Sequence, residues 1–184
     1  IYDHALNLWE GLSQELNFNV MFSQRGVINL AHDPGEEREL RRRIYANQLA
    51  GVDAEWGGPT QLSELCPILN LDPNIRYPVM GGTLQRRAGV ARHDAVAWGY
   101  ARGADRHGVH IIQNCEVTGL DIREGRIEGV QTSQGAIRTP KVGVVAAGHS
   151  SVLAAMADIR LPLDSHPLQA LVSEPVKPVM PTVI

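Results

Sequence analysis

The hydrophobic period changes at Gly108, and that change limits the folds open to the chain. Upstream the spacing is helical. Tyr2, Ala5, Leu6, Leu8, Trp9 and Leu12 form one broad apolar stripe, which predicts a helix over 2–16. A second helix is predicted over 94–107, capped by Asp94 and closed by Gly108. Ala95, Val96, Trp98, Ala101 and Ala104 would form its buried side. Downstream the period is two. Residues 109–113 read as a short apolar strand, 116–122 alternate, and Glu124-Gly125 and Ser133-Gln134-Gly135 turn the chain into 126–132 and 136–139. Residues 141–147 form a continuous apolar run, typical of a strand covered on both faces. A helix from Gly148 to Asp158 and a last strand over 166–173 complete the pattern. Both periods occur without a regular strand–helix–strand series, so the fold class reads as α/β or α+β.

Between these stretches, Gly26–Ala31 reads as a strand that Asp33-Pro34-Gly35 closes as a turn. A helix begins at Glu36, with Glu37 facing Arg41 and Glu39 facing Arg43, and ends at Gly51. Thr60 is the expected N-cap of a short helix that Pro67 stops, and 73–90 read as irregular. Composition then narrows the function. With 43% hydrophobic residues, a net charge of −3 and a pI near 6.2, the chain lacks the basic surplus that binding nucleic acid requires. No membrane segment is visible. Cys66 and Cys115 stand in no CxxC pair, which points away from a zinc ribbon or disulfide framework and towards a reducing, cytoplasmic setting. The chain opens on Ile1 rather than Met and stops inside an apolar run, so it is expected to be a piece of something longer.

Familiar catalytic signatures are missing. There is no GxGxxG, GxxxxGK[ST] or HExxH, so these residues lack the glycine turn that holds a dinucleotide pyrophosphate and a helical zinc pair. Gly148-His149-Ser150-Ser151-Val152 starts like a nucleophile elbow, but Val152 stands where the final glycine is needed. His107 and His110 flank a helix-ending glycine and would not share a face as metal ligands.

The meander and the strand ending Val144-Val145-Ala146-Ala147-Gly148-His149 resemble the FAD domain of the amine-oxidising flavoproteins of the D-amino acid oxidase and sarcosine oxidase group. Longer stretches extend the resemblance to nearly the whole chain. Phe22-Ser-Gln-Arg-Gly-Val-Ile-Asn-Leu-Ala-His32, Arg87-Ala-Gly-Val-Ala-Arg-His-Asp94 and His110-Ile-Ile-Gln-Asn-Cys-Glu-Val-Thr-Gly119 are similar to the β subunits of heterotetrameric sarcosine oxidases. The resemblance implies FAD held at Val117, through its main chain, and at the Ala147-Gly148 corner. It also implies FMN joined covalently to His93. The parent enzyme would demethylate sarcosine to glycine and formaldehyde, passing electrons from FAD to FMN and on to oxygen. Partners would be α, γ and δ subunits, with tetrahydrofolate on a partner. Arg86, Arg87 and Arg92 are candidates for an FMN phosphate, surface arginines being the alternative, and Trp98 and Tyr100 are expected in the core rather than on a flavin.

On this reading residues 1–92 are mainly substrate-domain elements, 93–160 a partial FAD-binding domain, and 161–184 the start of the return to the substrate domain. Two other readings remain: an FAD-only oxidase or dehydrogenase acting on glycine, dimethylglycine or a D-amino acid, and a non-catalytic interaction module.

Overall fold

A computed structural model describes residues 1–184, which divide into two compact units: 1–109 with 174–184, and 110–173. No helix is long and apolar enough to cross a membrane.

The first unit opens with α1 (Tyr2–Glu15), whose stripe carries Leu12 into a small core with Leu16 and Val20. Trp9 and Phe22 close its side, their ring centroids 5.8 Å apart. The chain then forms β1 (Val27–Ala31), α2 (Pro34–Leu49), β2 (Glu55–Gly57), α3 (Pro59–Leu65), β3 (Gly81–Gln85) and α4 (His93–Arg106). The three strands make an antiparallel sheet in the order β1-β3-β2. Ile28 pairs with Leu84 and meets Leu62, Cys66 and Val79 in the main core. Arg41 of α2 lies 4.2 Å over the ring of Trp56.

The central strand, β3, lies inside a stretch that reads as irregular, and its glycines explain why. They carry little β propensity. They are there because neighbours come too close for a side chain: a Cβ at Gly82 would sit 2.8 Å from the Asn29 carbonyl oxygen, and one at Gly81 would sit 2.3 Å from the Trp56 ring. Helix starts differ from expectation as well. Asp33 is not part of a simple turn but the N-cap of α2, its Oδ1 accepting from the N–H groups of Gly35 (2.6 Å) and Glu36 (2.9 Å), with Pro34 at the first helical position. Asp33→Ala is therefore expected to lower stability by about 1 kcal/mol, read as a lower urea midpoint at unchanged slope. Gly58, not Thr60, is the N-cap of α3. Glu39 pairs with Arg42 at 2.7 Å rather than with Arg43, while Glu37 and Arg41 pair as expected.

Helix α4 begins one residue early, with Arg92 at the cap position and Asp94 in the first turn. Its buried side holds Val96 against the Leu12, Leu16 and Val20 core as expected, but its centre is different. Gly99 and Gly103, four residues apart, form a flat track on which Leu16, Phe18 and Val20 rest at 3.1–3.3 Å from where a Cβ would stand. Trp98 and Tyr100 consequently point outwards, 59% and 54% exposed, and do not join the core. By its packing α4 belongs with the first unit, whereas the sequence grouped it with the meander.

The second unit is built on β4 (Val117–Arg123), β5 (Arg126–Thr132) and β6 (Gly135–Arg138), paired in sequence order. Glu124 and Gly125 both take positive φ (52° and 73°), the signature of a two-residue hairpin turn matched to strand twist. A 3-10 turn (Ala147–His149) and α5 (Ser150–Ala155) follow. The predicted strands at 109–113, 141–147 and 166–173 do not form. A strand needs a ladder partner, and the meander strands pair only with one another. Val145, expected to be covered on both faces, is 97% exposed.

The last residues return to the first unit. Ile28 N–H donates to the Val183 carbonyl (2.8 Å), and Val183 N–H to that of Gly26 (3.2 Å), so the segment lies parallel to β1.

Candidate functional site

The segment leading to His93 is fastened at several points. Ser23 and Val90 exchange two main-chain hydrogen bonds (2.8 and 3.0 Å), and Gly26 N–H donates to the Ala88 carbonyl (2.8 Å). Arg87 spreads its guanidinium over α1, donating to Asn7 Oδ1 (2.6 Å) and Glu10 Oε1 (2.9 Å) and lying 3.3 Å from Asp3 Oδ1. Gln24 Nε2 bridges Glu10 and the Arg87 carbonyl, both at 2.8 Å. His93 then stands at the first position of α4, exposed and free of side-chain hydrogen bonds. Arg92 Nε donates to Asp94 Oδ1 (3.0 Å), and that guanidinium, helped by the Ala95 N–H, holds the Asp94 carboxyl below its ordinary range. An accessible imidazole in the first turn of a fourteen-residue helix, at the end of a fastened loop and at the helix's positive end, can serve as a nucleophile towards an electron-poor ring.

The Arg87 cluster is pH-sensitive with a definite sign. Its hydrogen bond, and then that of Gln24, lower the Glu10 carboxyl below the ordinary Glu range. A lowered folded value stabilises above the unfolded one, and the contribution is lost as pH falls through the folded value. The thermal midpoint is therefore expected to drop as pH falls below about 4, and Arg87→Gln should flatten that drop.

Val117 opens β4, where it pairs with Thr132. Strand β4 is a sheet edge, so half of its main-chain groups face away from β5 and are free to meet an adenine edge. Ala147 takes φ 45° in the 3-10 turn. At Gly148 a Cβ would approach Ser165 Oγ to 3.1 Å, and that hydroxyl donates to the Gly148 carbonyl. His93 belongs to the first unit, and Val117, Ala147 and Gly148 to the second. Within the second unit no hydrogen bond joins Val117 to the Ala147-Gly148 turn. These features fit flavin groups: a free nucleophile, an open main-chain edge and a corner with a small side chain.

The three candidate phosphate arginines are all engaged with carboxylates. Arg86 lies 2.6 Å from Glu55 Oε1 without hydrogen-bond alignment, Arg87 holds Glu10, and Arg92 holds Asp94. Arg25, which the sequence reading passed over, has no carboxylate partner, and its Nε donates to Ser23 Oγ (3.1 Å). A signal was present: no Asp or Glu occurs between Glu15 and Asp33.

Residues 1–183 match the family model described as FAD dependent oxidoreductase. The chain is 57% identical, over its full length, to the sarcosine oxidase subunit beta of Arthrobacter sp, and 52% identical to that of Rhodobacter capsulatus. It spans 45% and 44% of the length of those relatives. Among solved structures, the L-proline dehydrogenase of P. horikoshii superposes with a TM-score of 0.76 at 26% identity, over 85% of this chain and 40% of that one. The chain belongs to the FAD-dependent oxidoreductase family.

Proposed function

We propose that the chain is part of the β subunit of a multi-subunit sarcosine oxidase. The observation that carries this reading is similarity along the whole of this chain to just under half of two sarcosine oxidase β chains, with an exposed imidazole standing at the start of α4. Bound FAD would accept the electron pair released when sarcosine becomes an imine, and FMN would pass it to oxygen as hydrogen peroxide. The resemblance suggests the tasks of this chain's own residues, and their placement is compatible with them. His93 would hold the FMN through an imidazole nitrogen, one imidazole N–H and one methyl C–H of the flavin giving way to the new C–N bond while oxygen takes up the two electrons and two protons, and the Arg87 cluster would fix the loop that presents it. Val117 offers main-chain groups to the adenine, and the Ala147-Gly148 turn lets backbone approach the FAD.

The assignment of 1–92 to a substrate domain, 93–160 to a partial FAD-binding domain and 161–184 to the return crossing is part of the proposal, with α4 packed in the first compact unit. So are the α, γ and δ partners, tetrahydrofolate on one of them, and a cytoplasmic location, in which Cys66 and Cys115 stay free as they are here. In the intact complex, sarcosine should drive oxygen uptake at least tenfold faster than glycine, dimethylglycine or a D-amino acid at equal low concentration. A faster rate with any of those, together with flavin released entirely by acid, would replace this reading with the FAD-only one.

A further inference from the structure

Arg25 sits where two open cavities meet. One, of about 360 Å³, is lined by Arg25 and Arg86; the other, of about 580 Å³, by Arg25 and Arg92, the residue before His93. Neither lining contains an Asp or Glu, in a chain whose net charge is −3. Arg86 and Arg92 have carboxylate partners, so Arg25 holds the unneutralised charge. The Ser23 hydroxyl takes its Nε and leaves both terminal nitrogens of the guanidinium fork unpaired, the arrangement that grips a phosphate through two hydrogen bonds. The position is held firmly. The paired Ser23 and Val90 form one wall, and residues 181–183, bonded to β1, form another. Phe22, Val90 and Met180 add apolar surface, which suits a phosphate ester with a carbon skeleton better than a bare ion.

We propose that Arg25 is the anion anchor of this groove and takes the phosphate group of a phosphate-bearing ligand, namely the flavin mononucleotide joined to His93. The identity of the ligand rests on the reading of His93 given above; the anion site itself rests on Arg25 and its surroundings. No bond is made or broken at Arg25, which positions the ligand while His93 attaches it.

The test uses the intact multi-subunit enzyme from riboflavin-starved cells, as wild type, Arg25→Gln and Arg25→Lys. Each is supplied with FMN or riboflavin, and covalent flavin per chain is measured by fluorescence after acid precipitation. Wild type should incorporate FMN at least tenfold faster than riboflavin at equal low concentration. Arg25→Gln should slow FMN about tenfold and leave riboflavin unchanged, and Arg25→Lys should retain most of the preference. Inorganic phosphate should compete with FMN in wild type and not in Arg25→Gln. Equal FMN incorporation in wild type and Arg25→Gln, or equal phosphate competition in both, overturns the proposal. If the wild type takes up no covalent flavin, the reading of His93 fails, and calorimetric titration with inorganic phosphate decides the anion site. Phosphate binding lost in Arg25→Gln then keeps the anchor with free phosphate as ligand; binding that is absent, or equal in both, overturns it.

Discussion

Gly89→Ala should destabilise the protein by about 3 kcal/mol, among the larger effects of a single methyl group. A Cβ at this position would stand 2.0 Å from the Ser23 carbonyl oxygen and 2.8 Å from Gln24 Cα, and both obstacles are backbone that no side-chain rotation can move. The cost is steric rather than conformational, so the two hydrogen bonds between Ser23 and Val90 must open to admit the methyl. Gly11 supplies the control: it lies inside α1 with nothing within 4 Å of its would-be Cβ. Gly11→Ala should therefore stabilise by about 0.5–1 kcal/mol. Urea unfolding reads both, and an unchanged midpoint for Gly89→Ala would show that the 86–92 loop is not seated as described. Because that loop presents His93, Gly89→Ala should also reduce covalent flavin, whereas Gly11→Ala should not.

His93→Ala should remove covalent flavin from the intact enzyme, from about one per chain to none, with the fold unharmed. His93 is exposed and makes no side-chain hydrogen bond, so the substitution should shift stability by no more than about 0.5 kcal/mol. That separation matters. A histidine that merely packs at a helix start would lose stability on truncation and leave flavin content alone. On the proposed function, oxygen uptake with sarcosine should fall with the flavin, because electrons leaving FAD would then lack their proposed route to oxygen.

Helices and the meander were legible because their signals are local. The α1 stripe and the Glu124-Gly125 turn each specify structure over a few residues, and the elements formed within one or two residues of expectation. Strand β3 was not legible, because Gly81 and Gly82 are chosen by the nearness of Trp56 and Asn29, a contact between distant parts of the chain. The run 141–147 misled in the opposite direction, since apolar content makes a strand only where a neighbour supplies hydrogen bonds. Trp98 was misplaced because Gly99 and Gly103 took the inner face of α4, a role that apolar counting assigns to large side chains. At the site, residue chemistry alone gave His93 no distinction from any exposed histidine; the resemblance singled it out. Arg25 could be recognised only after Arg86, Arg87 and Arg92 were seen to have partners.

The most direct measurement is mass spectrometry of the intact enzyme after acid precipitation and trypsin digestion. Cleavage after Arg92 and Arg102 releases the ten residues from His93 to Arg102 as one peptide. The expected result is that this peptide carries the mass of FMN, with fragment ions placing it on His93. Recovery of the same peptide unmodified, from enzyme that oxidises sarcosine at full rate, would contradict the assignment of His93 as the point of flavin attachment.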